Sequence, residues 1–195
     1  MEWIKREESR TTLPGVDFSK ENFSKYVAQP GLDIGFRGGN TAGGSGEPAF
    51  QFTGIDLLSP NYDGLHLPYP DEKFMTVHSS HVLEHIEFPE VAIQEWFRVV
   101  SVGGHLIITV PHQYLYEKTL MLPSRFNFFH KSLFTPGSLL LMIERFLKPN
   151  TYRVIYVRDN DTNFNYDLGP HKHSTGCYEI ECVIRKITPP SWGLE

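Results

Sequence analysis

Apolar residues fall into two kinds of run along this chain. Short blocks closed by an acid, a glycine or a proline alternate with stretches whose apolar positions recur every three to four residues. Leu32 to Gly35 is the first block, launched by Gln29-Pro30-Gly31, and Thr53 to Asp56 is the second. Lys73 to His78 is a weaker strand candidate. His105 to Val110 (HLIITV) is nearly continuous and β-branched, as a parallel strand covered on both faces requires, and Pro111 closes it. The helical stretches carry a different period. Pro89 to Ser101 places Ile93, Trp96, Phe97 and Val100 on one stripe, with Gly103-Gly104 as its stop. Pro136 to Leu147 is the next helix, with Leu139, Ile143 and Phe146 inward. Near the start, Asp17 to Gln29 reads as a short helix capped by Asp17 or Ser19, with Phe23, Tyr26 and Val27 on one face. Tyr152 to Val157 and Tyr178 to Ile187 alternate across a polar loop and predict a terminal antiparallel pair.

Strands and helices alternate, so the expected fold class is α/β. The first half departs from the regular scheme. Asn40 to Pro48 has the composition of a loop where a crossover helix is expected, and Leu57 to Tyr62 is too short for one. The helices are therefore expected to be reduced there. Residues 112–135 form a long aromatic segment with Phe126, Phe128, Phe129 and Phe134. Residues 1–195 read as one domain, with 1–16 as a loose lead-in punctuated by Pro14-Gly15.

Composition narrows the function classes. At 40% hydrophobic and 21% charged residues the chain is an ordinary globular one. A net charge of −5 gives no electrostatic reason to expect nucleic acid as a partner. Met1 to Arg6 leads into charge, and no run approaches the length of a membrane span, so a soluble, unexported protein is expected with no membrane partner. Cys177 and Cys182 lie an odd number of positions apart in a predicted strand. They point to opposite faces, so no mutual disulfide is expected, which fits a reducing cytoplasm.

The candidate chemistry starts at Gly31-Leu32-Asp33-Ile34-Gly35-Phe36-Arg37-Gly38-Gly39-Asn40. An apolar run ends in an acid and breaks into glycines at the carboxyl end of the first strand, where an open α/β sheet binds nucleotide-like ligands. Asp56 follows at the spacing that puts a carboxylate on ribose hydroxyls. Further on, His81-Val82-Leu83-Glu84-His85 matches H-x-x-E-H, a zinc pattern when it sits on a long helix. Here Pro89 follows closely and no third ligand is evident, so no metal site is expected; Glu84-His85 reads instead as a helix-start cap. Taken in order, LDIGFRGGN, TGIDL, YDGLHLPYPDEKF, VHSSHVLEHI and EWFRVVSVGGHLIITVPH resemble the class I S-adenosylmethionine-dependent methyltransferases. Within them the chain is similar to a small-molecule subgroup often found with surface-polysaccharide biosynthesis. The resemblance covers roughly residues 30–145.

What the resemblance implies is a Rossmann-like, mostly parallel seven-stranded sheet and S-adenosylmethionine as cofactor. It sets Asp33, Gly35 and Gly39 around the methionine and ribose. Asp56 falls on the ribose hydroxyls, Asp63, Gly64 and Leu65 against the adenine, and Ser80 and His81 at the methyl-transfer channel. Arg37 stands at the middle glycine of the family's first motif, where it would carry a cation towards the cofactor's sulfonium or else swing away, pair with the cofactor carboxylate or meet an anionic substrate. If that position requires φ > 0, arginine costs about 1 kcal/mol over glycine. The implied reaction moves a methyl group to a small polar acceptor, sugar or sugar-linked, and needs a base when the acceptor is a hydroxyl. His81, His112 and His130 are the candidates, since imidazole titrates near neutral pH. Two rivals accompany this reading: a methyltransferase-fold binding protein without catalysis, and a zinc hydrolase using His81 and His85. A second copy of the chain is a candidate cover for apolar surface left by the reduced helices, which would make a homodimer.

Overall fold

The computed structural model describes residues 23–36 and 49–192. Six strands form one mixed sheet: β1 (Gly31–Ile34), β2 (Thr53–Ile55), β3 (Phe74–Ser80), β4 (Val100–Pro111), β5 (Tyr152–Asn160) and β6 (Glu179–Lys186). Their order is β2-β1-β3-β4-β6-β5. The first four run parallel, and β6 turns antiparallel to both β4 and β5, which is the predicted terminal pair. Two helices, α1 (Pro89–Arg98) and α2 (Pro136–Phe146), supply the longer periodic stretches.

One sheet face and the two helices enclose the main core. Leu32, Ile34, Val77, Leu106, Ile108, Ile180, Cys182 and Ile184 meet Ile93, Trp96, Leu139 and Ile143 there, all buried. β6 shows how period two divides its residues. Ile180, Cys182 and Ile184 face the helices, while Val183 joins Phe23 and Ile107 on the opposite face. Thr135 caps α2 through a reciprocal pair with Ser138, Thr135 Oγ1 accepting from the Ser138 N–H at 3.1 Å and Ser138 Oγ from the Thr135 N–H at 2.9 Å.

The sheet corrects several expectations. Six strands are present among the described residues, not seven. After the three-residue β2 the chain runs from Asp56 to Lys73 through turns and bends, with Pro60, Gly64, Pro68 and Pro70 interrupting any extended run. α1 ends at Arg98, and Gly103-Gly104 lies inside β4, which starts already at Val100. The glycines coincide with a register shift between β3 and β4. Phe146 is 37% exposed, so the α2 stripe buries only Leu139 and Ile143. Cys177 precedes β6; both thiols are free and buried, and burial pushes Cys182 up to about 12. The predicted Asp17–Gln29 helix, the Asn40–Pro48 connection, Arg37 and Gly39 lie wholly or largely outside the described residues. Of the first, a short turn at Ser24–Tyr26 is seen. Among the described residues no helix is long and apolar enough to cross a membrane.

Candidate active site

A cleft of about 320 Å³ opens at the carboxyl ends of β1 and β2. Gly35, Asp56, Leu57, Tyr62, Asp63, Gly64 and Leu65 form one wall, and Val82, His85, Ile86, Phe88 and Lys131 the other. The chain reaches this arrangement through tight backbone. Gly35 turns out of β1 at φ 77°, and a Cβ there would sit 2.3 Å from Val82 Cγ2. Gly64, at φ 90°, would similarly press on Leu57 at 2.7 Å. Gly35 needs the missing side chain for conformation and for space; Gly64 needs it for conformation, since the exposed Leu57 tip can move aside.

The acids on this wall shape their own loops. Asp56 Oδ1 accepts the Leu58 N–H at 2.8 Å, closing the turn after β2. Asp63 Oδ1 accepts the Leu65 and His66 N–H groups at 2.8 and 2.7 Å, and Oδ2 meets His66 Nδ1 at 2.8 Å. The His66 side chain, then the two backbone donors, hold the Asp63 carboxyl well below the usual carboxylate range. Asp63 in turn raises the His66 imidazole. Asp63 therefore acts as a turn acid and borders the cleft as well.

This pair has a definite pH signature. The raised histidine stabilises the folded loop fully below the ordinary value of 6.5 and loses that contribution as pH climbs through its folded pKa. The depressed carboxylate contributes above its ordinary value of 3.8 and loses that as pH falls through its folded pKa. An NMR titration is expected to place the His66 midpoint above 6.5 and return it there in Asp63→Asn. An unchanged midpoint in the variant would break the coupling.

A clamp from α1 fixes the loop behind this wall. Arg98 donates to both Glu95 carboxylate oxygens at 2.7 and 2.8 Å, to Asp71 Oδ1 at 2.7 Å, and to the Tyr69 and Leu67 carbonyls at 2.9 and 3.2 Å. Glu95 completes it by accepting the Leu67 N–H at 2.8 Å. One guanidinium ties the part-buried Glu95 carboxylate and the Leu67 and Tyr69 carbonyls together, with the exposed Asp71 on its outer side, and so holds the loop following Leu65 against α1. Sequence reading missed this clamp; its visible trace is the helical i, i+3 pair Glu95–Arg98.

The other predicted residues sit around the cleft without lining it. Asp33 is buried behind it, bonded to His78 Nδ1 at 2.6 Å across the β1–β3 ladder. Ser80 and His81 follow at the end of β3. Ser80 Oγ meets His81 Nδ1 at 3.0 Å, and His81 Nε2 points to Glu179 Oε1 at 3.7 Å, with His81 in the left-handed region at φ 55°. His112 Nδ1 accepts the Tyr114 N–H at 3.0 Å and so keeps its proton on Nε2, 3.1 Å from Asp159 Oδ1. Burial lowers its pKa against the opposing pull of Asp159. It caps the Gln113–Glu117 turn.

His130 is buried in the aromatic segment, its Nδ1 donating to Glu117 Oε1 at 2.5 Å while Ser124 Oγ donates to the other Glu117 oxygen. Its ring meets His85 edge-on at 4.7 Å. His81 and His85 are not brought together on a helix, because residues 83–85 form a single 3-10 turn. Glu84 is fully buried and its side chain makes no helix cap; its carbonyl accepts the Lys131 and Ser132 N–H groups at 2.7 and 3.2 Å. Of His81, His85, His112 and His130, His85 alone borders the cleft.

The order of parallel strands, the reversed β6 and a cleft over β1 and β2 define the Rossmann-like methyltransferase fold. A protein from Bacillus halodurans assigned to the methyltransferases shares it with a TM-score of 0.59 at 14% identity, over 89% of this chain and 100% of the other. An S-adenosylmethionine-dependent methyltransferase from Mesorhizobium loti gives 0.55 at 13% identity, over 85% and 96%. Residues 32–108 match the family described as Methyltransferase domain. A stretch of 46 residues is 46% identical to a demethylmenaquinone methyltransferase of Streptomyces griseus, covering 24% of this chain and 20% of that enzyme.

Proposed function

We propose that the chain is an S-adenosylmethionine-dependent methyltransferase acting on a small acceptor. One observation carries this: the cleft gathers Gly35, Asp56, Asp63, Gly64 and Leu65 from the loops after β1 and β2, the residues that the family resemblance sets around the nucleoside. The residues present fit that group. Gly35 lets backbone line the cleft without a side chain, and Asp56, directly after β2, lines it as well, at the position where a carboxylate accepts from ribose hydroxyls. When bound, the cofactor supplies an already activated methyl group. The protein's part is to hold the acceptor in line and exclude water.

In calorimetry, the wild-type chain is expected to bind S-adenosylmethionine saturably, and Asp56→Ala to bind at least tenfold more weakly. No heat from the wild type would reject the proposal. Cofactor binding without transfer to any acceptor would favour the silent binding protein that Arg37 suggests.

The resemblance to the polysaccharide-associated subgroup supports a sugar-linked acceptor in the cytoplasm. A second reading, a planar quinol-like ring, is supported by the demethylmenaquinone relative and by Leu57 (73% exposed) and Phe88 (55% exposed) at the cleft. A homodimer covering such exposed apolar residues would show as twice the chain mass in solution.

A further inference from the structure

We propose that Glu84, His85 and His130 form a binding site for one divalent first-row metal ion, zinc foremost, on the wall of the cleft. One ligand atom from each lies within 4.8 Å of the others. Glu84 Oε1 is 3.8 Å from His85 Nε2 and 3.9 Å from His130 Nε2. Those separations exceed a hydrogen bond and come within a few tenths of an ångström of the roughly 3.4 Å edge of a tetrahedron with metal–ligand bonds near 2.1 Å. Two imidazoles and one carboxylate are the donor set of an open zinc site, with the fourth position left for an exogenous ligand.

The surroundings match a ligand set in detail. Glu117 accepts from His130 Nδ1, which leaves Nε2 as the lone-pair atom facing Glu84. Ser124 fixes the Glu117 carboxylate, and its own oxygen takes the Phe126 and Asn127 N–H groups at 3.3 and 3.0 Å. Glu84 and Glu117 are both buried, so a dication balances two carboxylates withdrawn from water. His85 alone of the three is partly exposed, its side chain at 30%, and it borders the cleft. The open position therefore faces the cleft. The spacing His85 to His130 hid the site in the sequence; H-x-x-E-H drew attention to His81, which turns away to Glu179.

If the methyltransferase reading holds, an ion here would offer a Lewis-acid position to an oxygen of the acceptor; the ion's binding itself does not depend on that reading. Chelator-stripped protein, residues 1–195, titrated with Zn²⁺ alone and separately with Co²⁺, tests it. One ion per chain is expected, with visible Co²⁺ absorption of a four- or five-coordinate site. His85→Ala and Glu84→Gln should each abolish the absorption, and Glu117→Gln should weaken Zn²⁺ affinity about 10–100-fold. His171→Ala, an exposed histidine elsewhere, should change nothing. Binding that survives both Glu84→Gln and His85→Ala, or no stoichiometric binding, overturns the proposal. Circular dichroism of each variant separates loss of the site from loss of the fold, and His85→Ala, which removes a partly exposed side chain, is expected to keep it. S-adenosylmethionine calorimetry on the same metal-free protein reports on the methyltransferase reading independently.

Discussion

Trp96→Ala is expected to destabilise the protein by about 3–5 kcal/mol in urea unfolding. Trp96 is fully buried on α1 and is the largest fully buried side chain of the core between the helices and the sheet. Its removal loses the transfer free energy of an indole and leaves a cavity in a cluster whose members are anchored on both helices and the sheet. Domains of this size hold only about 5–15 kcal/mol, so the variant should approach the edge of folding. Trp96→Phe is expected to cost clearly less. Among the described residues Trp96 Nε1 has no hydrogen-bond partner, so the phenyl ring gives up packing volume and no bond. Equal losses in the two variants would contradict this account of the core.

His130→Leu, measured in chelator, is expected to cost about 3–5 kcal/mol, because it leaves the Glu117 carboxylate buried with one of its two donors gone. The side chains of both residues are 1% exposed, so water does not replace the lost donor. The double variant His130→Leu/Glu117→Gln should recover a large part of the loss, since it removes the charge that the single change strands. Additive losses would mean that the two groups are not coupled.

The sequence made much of this architecture legible because local pattern and tertiary environment agreed. HLIITV is apolar on both faces and lies in the middle of the sheet, and the Ile93–Trp96–Phe97 stripe buries as its period requires. The errors lie where two periods compete. Val100 fits the helical stripe of α1 and equally a β-branched strand, and pairing with Phe74 settles it in β4. Phe146 belongs to the stripe of α2 but is its last residue, and it stays partly exposed there. The seventh strand was expected from family resemblance alone, and among the described residues the stretch from Asp56 to Lys73, broken by prolines and glycine, forms none.

The site was legible in a similar, partial way. Asp56 and Asp63-Gly64-Leu65 follow strand β2 closely, so chain order carries them to one wall. Glu117, His130 and Glu84 meet only because the aromatic segment folds back on the β3 end, a contact across 46 positions between Glu84 and His130 that no local spacing announces. Arg98 was hidden for the same reason: its partners at Leu67, Tyr69 and Asp71 are loop carbonyls and an acid some thirty residues earlier.

The central claim is that the cleft between Asp56 and His85 is a nucleoside-cofactor site. A crystal structure with S-adenosylhomocysteine tests it most directly. The account predicts the ribose hydroxyls on the Asp56 carboxylate, the adenine against Asp63, Gly64 and Leu65, and the sulfur directed toward Val82 and His85. A nucleoside bound elsewhere, with this cleft closed or filled by solvent at saturating ligand, would contradict it.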